Sequence, residues 1–331
     1  MNSTHKCEVF RIEDIGVHPN ADALEVVQFY GYTCCVRKGD FHAGDTAVYI
    51  PPDSLVQTSF TVFSFLAKDA YTGVHRYAGF ARIRARKLRG VVSQGLVMLA
   101  ADYMKIGDDV AEELGVRHYE PEEPRSGGGR IPSGPPVEGP LVPIYDVESW
   151  HRYGYLFLPG ETVIVTEKIH GTNIRVVWDG TKLHVGSRRQ WKADAPGCVY
   201  HQALKRDPCI ETVARENPGR VFYGEVFGDI QDLKYGHGKG ERSVVFFDQF
   251  QDGHFITLAE RELLSLPTVP TLYIGPYDPD TIAELINGPT RCGGEHLREG
   301  IVIETVIPRW SLECGRMKLK AVSPLYLERA K

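Results

Sequence analysis

Glu167-Lys168-Ile169-His170-Gly171-Thr172-Asn173 is the stretch best suited to covalent chemistry. A lysine leaves a candidate strand and enters a tight glycine turn, so its amine can be held over a cleft. That amine attacks phosphorus only when neutral. With an ordinary pKa near 10.4, only about one in a few thousand is neutral at pH 7. Burial and neighbouring cations are therefore expected to lower the Lys168 pKa. The spacing alone is thin support, because Lys87-Leu88-Arg89-Gly90 repeats the Lys-x-x-Gly pattern.

An ordered series downstream sets Lys168 apart. Gly186-Ser187-Arg188-Arg189 supplies cations, with either arginine in register. Phe222-Tyr223-Gly224-Glu225-Val226-Phe227-Gly228 sets a carboxylate on a strand. Phe246-Phe247-Asp248 ends the next strand, and Glu299-Gly300-Ile301-Val302-Ile303 opens another. Lys318-Leu319-Lys320 places two lysines on one strand face. Singly, each has a plainer reading. One of Phe246 and Phe247 is core, Glu225 is a solvated edge residue, and the lysines are an exposed strand face. His170 reads as a turn-stabilising residue. Gly236-His237-Gly238-Lys239-Gly240 lacks the ending of a phosphate-binding loop.

In this order, from Glu167 to Lys320, the series resembles the motif ladder of covalent ATP-dependent ligases and mRNA-capping enzymes. The His-Gly-Thr-Asn after the lysine is similar to RNA ligases, whereas DNA ligases usually carry Asp-Gly there. The resemblance implies that Lys168 attacks the α-phosphorus of ATP and carries AMP. Phe247 would stack on adenine, and Glu225 would accept from the ribose hydroxyls. Arg188 and Asn173 would hold phosphate or ribose oxygens. Lys318 and Lys320 would neutralise the α-phosphate. Glu299 would orient a divalent metal, Mg²⁺ or Mn²⁺. Glu167 would line the adenine pocket through its backbone.

These residues need strands to hold them. Thr162 to Glu167, Ile174 to Trp178, Lys182 to Val185, Arg220 to Val226, Ser243 to Phe247, His254 to Leu258, Gly300 to Val306 and Arg316 to Val322 read as strands. Asp179-Gly180 marks a hairpin. Tyr200 to Glu216, Ala259 to Leu266 and Pro279 to Ile286 read as helices. Strands outnumber helices and hairpins outnumber crossovers. That predicts an α+β, mainly antiparallel domain over residues 141–331.

Upstream, residues 119–140 are dense in Pro and Gly and read as a linker or mobile loop, with an ordered functional loop as the alternative. Before it, residues 1–118 carry short strand candidates at Thr46 to Ile50, Arg82 to Leu88 and Val91 to Leu99. A short helix is expected within Asp102 to Leu114. This predicts a small β-barrel or sandwich. Two stretches, Gly44 to Leu55 and Arg82 to Gly90, resemble the OB-like N-terminal module of a group of nick-sealing RNA ligases, and this resemblance implies the barrel. His18-Pro19-Asn20-Ala21-Asp22 is similar to the opening of tRNA-binding OB modules. On one strand, Arg82, Arg84 and Arg86 would share a face and follow a phosphate backbone. Tyr71, Tyr77 and Phe80 are candidates for base stacking or core.

Bulk properties bound the rest. The chain has 331 residues, 42% apolar, 24% charged, with a net charge of −5. Contact with a polyanion must then come from a local patch. Seven scattered cysteines without a CxxC suit a reducing compartment. With no signal-like or membrane-spanning segment, the expectation is a cytoplasmic protein with no membrane and no evident protein partner. Because the chain ends soon after Lys320, a C-terminal OB domain of the DNA-ligase and capping type is not expected. The reading is an ATP-dependent RNA ligase joining a 5′-phosphate to a 3′-hydroxyl, with RNA or an RNA-containing nicked duplex as partner. The alternatives are a DNA ligase or capping-type nucleotidyltransferase, and a non-catalytic RNA-binding protein on a ligase fold.

Overall fold

The computed structural model describes residues 5–119 and 134–329. The chain divides into two compact units, Met1–Pro121 with Leu327–Lys331, and Glu122–Tyr326. Among the described residues, no helix is long and apolar enough to cross a membrane.

The N-terminal unit is built from short antiparallel strands. Thr46–Ile50 lies between Glu8–Arg11 and Leu96–Leu99, and Leu24–Phe29 lies between Ile15–Val17 and Tyr32–Arg37. Side chains alternate along these strands, filling two apolar cores around Val48 with Phe63 and around Tyr49 with Phe29. Arg82 to Leu88 is not one strand. Phe80–Arg82 pairs with Ser54–Gln57, the chain breaks at 83–85, and Arg86–Leu88 forms a hairpin with Val91–Ser93. That hairpin turns through Arg89 and Gly90 at φ 46° and 97°, the paired left-handed geometry of a tight hairpin. The helix expected within Asp102 to Leu114 is a series of turns, reversed at Gly107 with φ 91°.

The second unit holds two large sheets. A seven-stranded antiparallel sheet runs in the order Pro136–Val137, Trp191–Lys192, Leu183–Gly186, Thr172–Trp178, Val221–Gly228, Arg242–Gln251, His254–Phe255. A five-stranded sheet runs Glu148–Ser149, Lys318–Val322, Gly300–Thr305, Thr162–Lys168, Thr271–Pro276, parallel only at its first pair. Residues 120–133 of the expected linker lie outside the described residues. Its last part is not linker, because Pro136–Val137 forms the edge strand and Trp191 Nε1 donates to Pro140 O at 2.9 Å.

Several elements depart from the sequence reading for local reasons. Tyr200 to Glu216 is two helices, Val199–Lys205 and Cys209–Glu216. Pro208 splits them, since it lacks the N–H and crowds the preceding turn. The next helix is only Leu258–Arg261, begun by a Thr257/Glu260 capping box. That cap also ends the expected His254 to Leu258 strand at Phe255. Thr271–Pro276, which follows Pro270 and contains Gly275 and Pro276, is a strand that the pattern did not predict. It sits at the sheet edge, where proline is tolerated.

The chain passes from one sheet to the other at 169–171, directly after Lys168. Gly171 makes this crossing possible. A Cβ there would lie 2.0 Å from Val226 O. Gly171→Ala is expected to cost about 2 kcal/mol through overpacking and to lower the melting temperature by roughly 5 °C. Calorimetric melting checks this, and an unchanged melting temperature would contradict the close approach.

Candidate active site

Both sheets contribute to one cavity of about 200 Å³. Thr166, Glu167, Lys168, Val302, Lys318 and Lys320 line it from the five-stranded sheet. Asn173, Glu225 and Phe247 line it from the seven-stranded sheet, with Arg188 from a turn. Strand register explains the convergence. Lys168 pairs with Gly300, so the strand end that carries the amine faces the residue after Glu299. Asn173 pairs with Glu225. Glu299 is pinned by its carbonyl, which accepts from Ser323 N at 2.8 Å.

Lys168 Nζ donates to Glu299 Oε2 at 2.7 Å. Burial depresses the amine's pKa, but Glu299 and Glu225 outweigh it and the net direction is upward. This corrects the expectation of a lowered pKa. The groups nearest Lys168 are carboxylates, not cations. Burial also acts on Glu299, yet Lys168 and His170 hold it below its ordinary value. For Glu225 the compensation falls short. Burial, against the pull of Lys168 and with repulsion from Glu299, pushes it up to about 8. Two buried carboxylates around one amine form a hard-oxygen donor set of the kind that takes Mg²⁺ or Mn²⁺ together with substrate phosphates.

His170 lies in the turn after Lys168, with its Nδ1 3.7 Å from Glu299 Oε1. Its backbone N–H donates to Tyr235 Oη at 2.7 Å, and Nε2 lies 2.8 Å from Asp232 Oδ1. His237 is likewise internal to its loop, bonding Ser243 Oγ at 2.8 Å. The Glu167 carboxylate turns away to accept from Thr290 Oγ1 at 2.5 Å and Arg291 N at 2.6 Å. Only the rest of Glu167 is left to face the cavity.

The adjacent phenylalanines separate cleanly. Phe246 is buried in the core against Phe222. Phe247 lines the cavity. A register shift lets Tyr223 pair with Asp248 and Gly224 with Phe246, which leaves Phe247 unpaired in a bulge. Bulges re-aim side chains in this way. Of the two arginines, Arg188 lines the cavity. The turn that presents it is closed by Ser187 N donating to Gln190 O at 2.9 Å. Asn173 Oδ1 and Arg188 Nε are buried without a hydrogen-bond partner among the described residues. Polar atoms orphaned in this way suit a polar ligand.

Sequence reasoning missed the floor of the site. Lys318 is 4% exposed and sits in a buried charge cluster. Its Nζ donates to Asp248 Oδ2 at 3.0 Å and Phe247 O at 3.1 Å, and lies 3.3 Å from Glu304. Arg261 and Arg316 each bond both acids. Tyr145 Oη donates to Asp248 Oδ2 at 2.7 Å, and its ring packs 4.9 Å from that of Phe247. Burial lowers the Lys318 pKa, and the two acids only partly restore it. Alternation gave a usable signal, since Glu304 and Lys318 pair directly across adjacent strands. Nothing local flags Arg261 or Tyr145.

In the N-terminal unit, the expected arginine stripe is not a continuous face, because the strand breaks between its members. Arg82 is paired with Asp53 at 2.5 Å and lies 3.9 Å over the Tyr119 ring. Arg86 pairs with Asp69 at 3.0 Å, and Arg84 is exposed. Tyr71, Tyr77, His75 and Tyr119 pack on one another, and Phe80 lies under Arg117. His18 is 3% exposed, with Nε2 3.0 Å from Leu88 O and Nδ1 accepting from Asn20 N. The His-Pro-Asn stretch therefore clamps the Arg86–Ser93 hairpin.

Comparison with known proteins agrees with both units. Residues 7–100 match an OB-fold domain, and residues 161–322 match the RNA ligase family. The RNA ligase of Naegleria gruberi superposes over nearly the whole chain. An apo mutant form gives a TM-score of 0.80 at 24% identity, covering 99% of each chain. A mutant with ATP and Mn gives 0.78 at 23%, covering 98% of each. The form with pyrophosphate gives 0.79 at 24%, again covering 98% of each. These likenesses show the fold. The Protein Early 65 kDa of Autographa californica nuclear polyhedrosis virus is 33% identical over 79 residues, which is 23% of this chain and 14% of that protein. Residues 161–322 belong to the RNA ligase family, and an OB-fold domain at residues 7–100 precedes them.

Proposed function

We propose that this chain is an ATP-dependent RNA ligase that seals a 5′-phosphate to a 3′-hydroxyl in nicked, RNA-containing duplexes. The observation that carries this reading is the single cavity in which Lys168 meets Asn173, Arg188, Glu225, Phe247, Lys318 and Lys320, with Glu299 on its amine.

In the first step, Lys168 Nζ attacks the α-phosphorus of ATP, forming a P–N bond as the bond to pyrophosphate breaks. The amine must first lose its proton, and the two carboxylates oppose that loss. A divalent cation held at Glu299 would draw off carboxylate charge and polarise the phosphate. Phe247 offers its ring face to adenine, and Glu225 and Asn173 face the ribose. Lys318 and Lys320 take up charge at the α-phosphate. AMP then passes to the 5′-phosphate end. The 3′-hydroxyl displaces AMP, forming the phosphodiester. The OB-fold domain contacts the nucleic acid and matters more for sealing than for lysine labelling.

A nicked duplex in which only the 3′-terminal nucleotide is switched between ribose and deoxyribose tests the choice of polymer. The expected result is sealing of the ribose end at least about tenfold faster, one lost hydrogen-bonding hydroxyl being enough for that ratio. Equal rates on both ends favour a DNA ligase. Labelling by GTP in place of ATP favours a capping-type enzyme.

A further inference from the structure

Asp146 lies on the wall of the same cavity. Its carboxylate stands between the two cations assigned above to phosphate. Oδ2 accepts from Arg188 Nη2 at 2.5 Å, and Oδ1 lies 3.8 Å from Lys320 Nζ. Among the described residues, no second acid is within ion-pair distance of either cation.

The carboxylate is placed by its surroundings. On one side, Tyr145 is buried and bonded to Asp248. Two residues back, Pro143 O accepts from Tyr223 Oη at 2.7 Å. On the other side, Val147 N donates to Asp146 Oδ1 at 3.0 Å. Beyond Val147, Glu148–Ser149 pairs with Leu319 and Lys320, so the backbone is tied to a sheet on both sides of Asp146.

A carboxylate and a phosphate are both anionic acceptors that guanidinium and ammonium groups bind in similar ways. Two anions cannot share Arg188 and Lys320 without repulsion. We infer that Asp146 is a phosphate mimic that competes with the nucleotide for Arg188 and Lys320, keeping both cations oriented and hastening release of AMP after sealing. This inference rests on the proposed ligase reading. The competition weakens ATP and AMP alike, which lets the site turn over instead of trapping its product.

Asp146→Asn keeps the shape and the contact with Val147 and removes the charge. AMP binding measured by calorimetry should tighten about five- to tenfold, the scale of one part-exposed like charge beside the phosphate. Inhibition of sealing by AMP should tighten by the same factor. The gain should shrink in an Arg188→Gln background, which a merely structural role would not produce. Equal or weaker AMP binding by Asp146→Asn, with an unchanged melting temperature, overturns the inference. If Asp146→Asn folds poorly, Asp146→Ser carries the same expectation and the same refutation. A parent chain that neither binds nucleotide nor labels Lys168 would overturn the ligase reading itself, whereas labelling without the AMP effect overturns only the role of Asp146.

Discussion

Lys168→Arg is expected to abolish the covalent AMP adduct while leaving the fold intact. The substitution keeps a cation opposite Glu299, where Lys168 Nζ now lies at 2.7 Å. The buried carboxylates therefore retain a partner, and the melting temperature should stay near that of the parent. A guanidinium, however, is not deprotonated in proteins and has no free lone pair for phosphorus. Lys168→Ala removes nucleophile and cation together, and leaves Glu299 and Glu225 without their lysine partner. It should lose both labelling and some stability. Incubation with α-labelled ATP and metal, followed by denaturing electrophoresis, reads the adduct. Labelling should fall at least about 10³-fold in both variants, as expected when a covalent nucleophile is removed. A labelled Lys168→Arg chain would place the nucleophile elsewhere. Lys87, in the other Lys-x-x-Gly stretch, is then the first residue to test.

The contrast between those two lysines shows how far the sequence could be read. Both have the same local spacing, and the order of partners downstream chose Lys168. That order reflects strand register, so Lys168, Asn173, Arg188, Glu225, Phe247, Lys318 and Lys320 line one cavity, with Glu299 reaching it through the Lys168 amine. Elements were legible where a β-branched run or a cap marked them, as at the strand Thr172–Trp178 and at the helix Pro279–Ile286 opened by its Asp278 cap. Three things were not legible. The bulge that sends Phe246 into the core and Phe247 into the cavity depends on the pairing of Tyr223 and Asp248 across two strands. The sign of the Lys168 shift depends on which charges fold next to it, and the sequence neighbours suggested cations where the structure places Glu299 and Glu225. The arginine stripe assumed a continuous strand, but the chain leaves the sheet after Arg82. Long-range partners such as Arg261 and Tyr145 carry no local mark at all.

Those partners support the second large expectation. Asp248 is 1% exposed and Glu304 is 7% exposed, and they face Lys318, Arg261 and Arg316. Two acids face three cations, an excess of one positive charge. Removing one partner of such a cluster leaves charge buried without compensation, at a cost of about 3 to 5 kcal/mol. Asp248→Asn should therefore lower the melting temperature by roughly 10 °C. Lys318→Met acts in the opposite sense. It leaves two acids with two arginines, so it should be tolerated far better by the fold while nucleotide transfer is lost with the cation beside the phosphate. The two variants thus separate stability from chemistry within one cluster. The sign with pH follows from the acids. Burial raises the Asp248 carboxyl, but Lys318, Arg316 and Arg261 more than offset it and hold it well below the usual range. Glu304 is lowered by the same cations against burial. Acids depressed in the folded state stabilise it fully above their unfolded values, near 4, and lose that contribution as pH falls through the folded values. The gap in melting temperature between the parent and Asp248→Asn should therefore be full at pH 6 and narrow progressively below about pH 4. A gap that stays constant into acid would mean that the loss comes from packing around Asp248 and not from its charge.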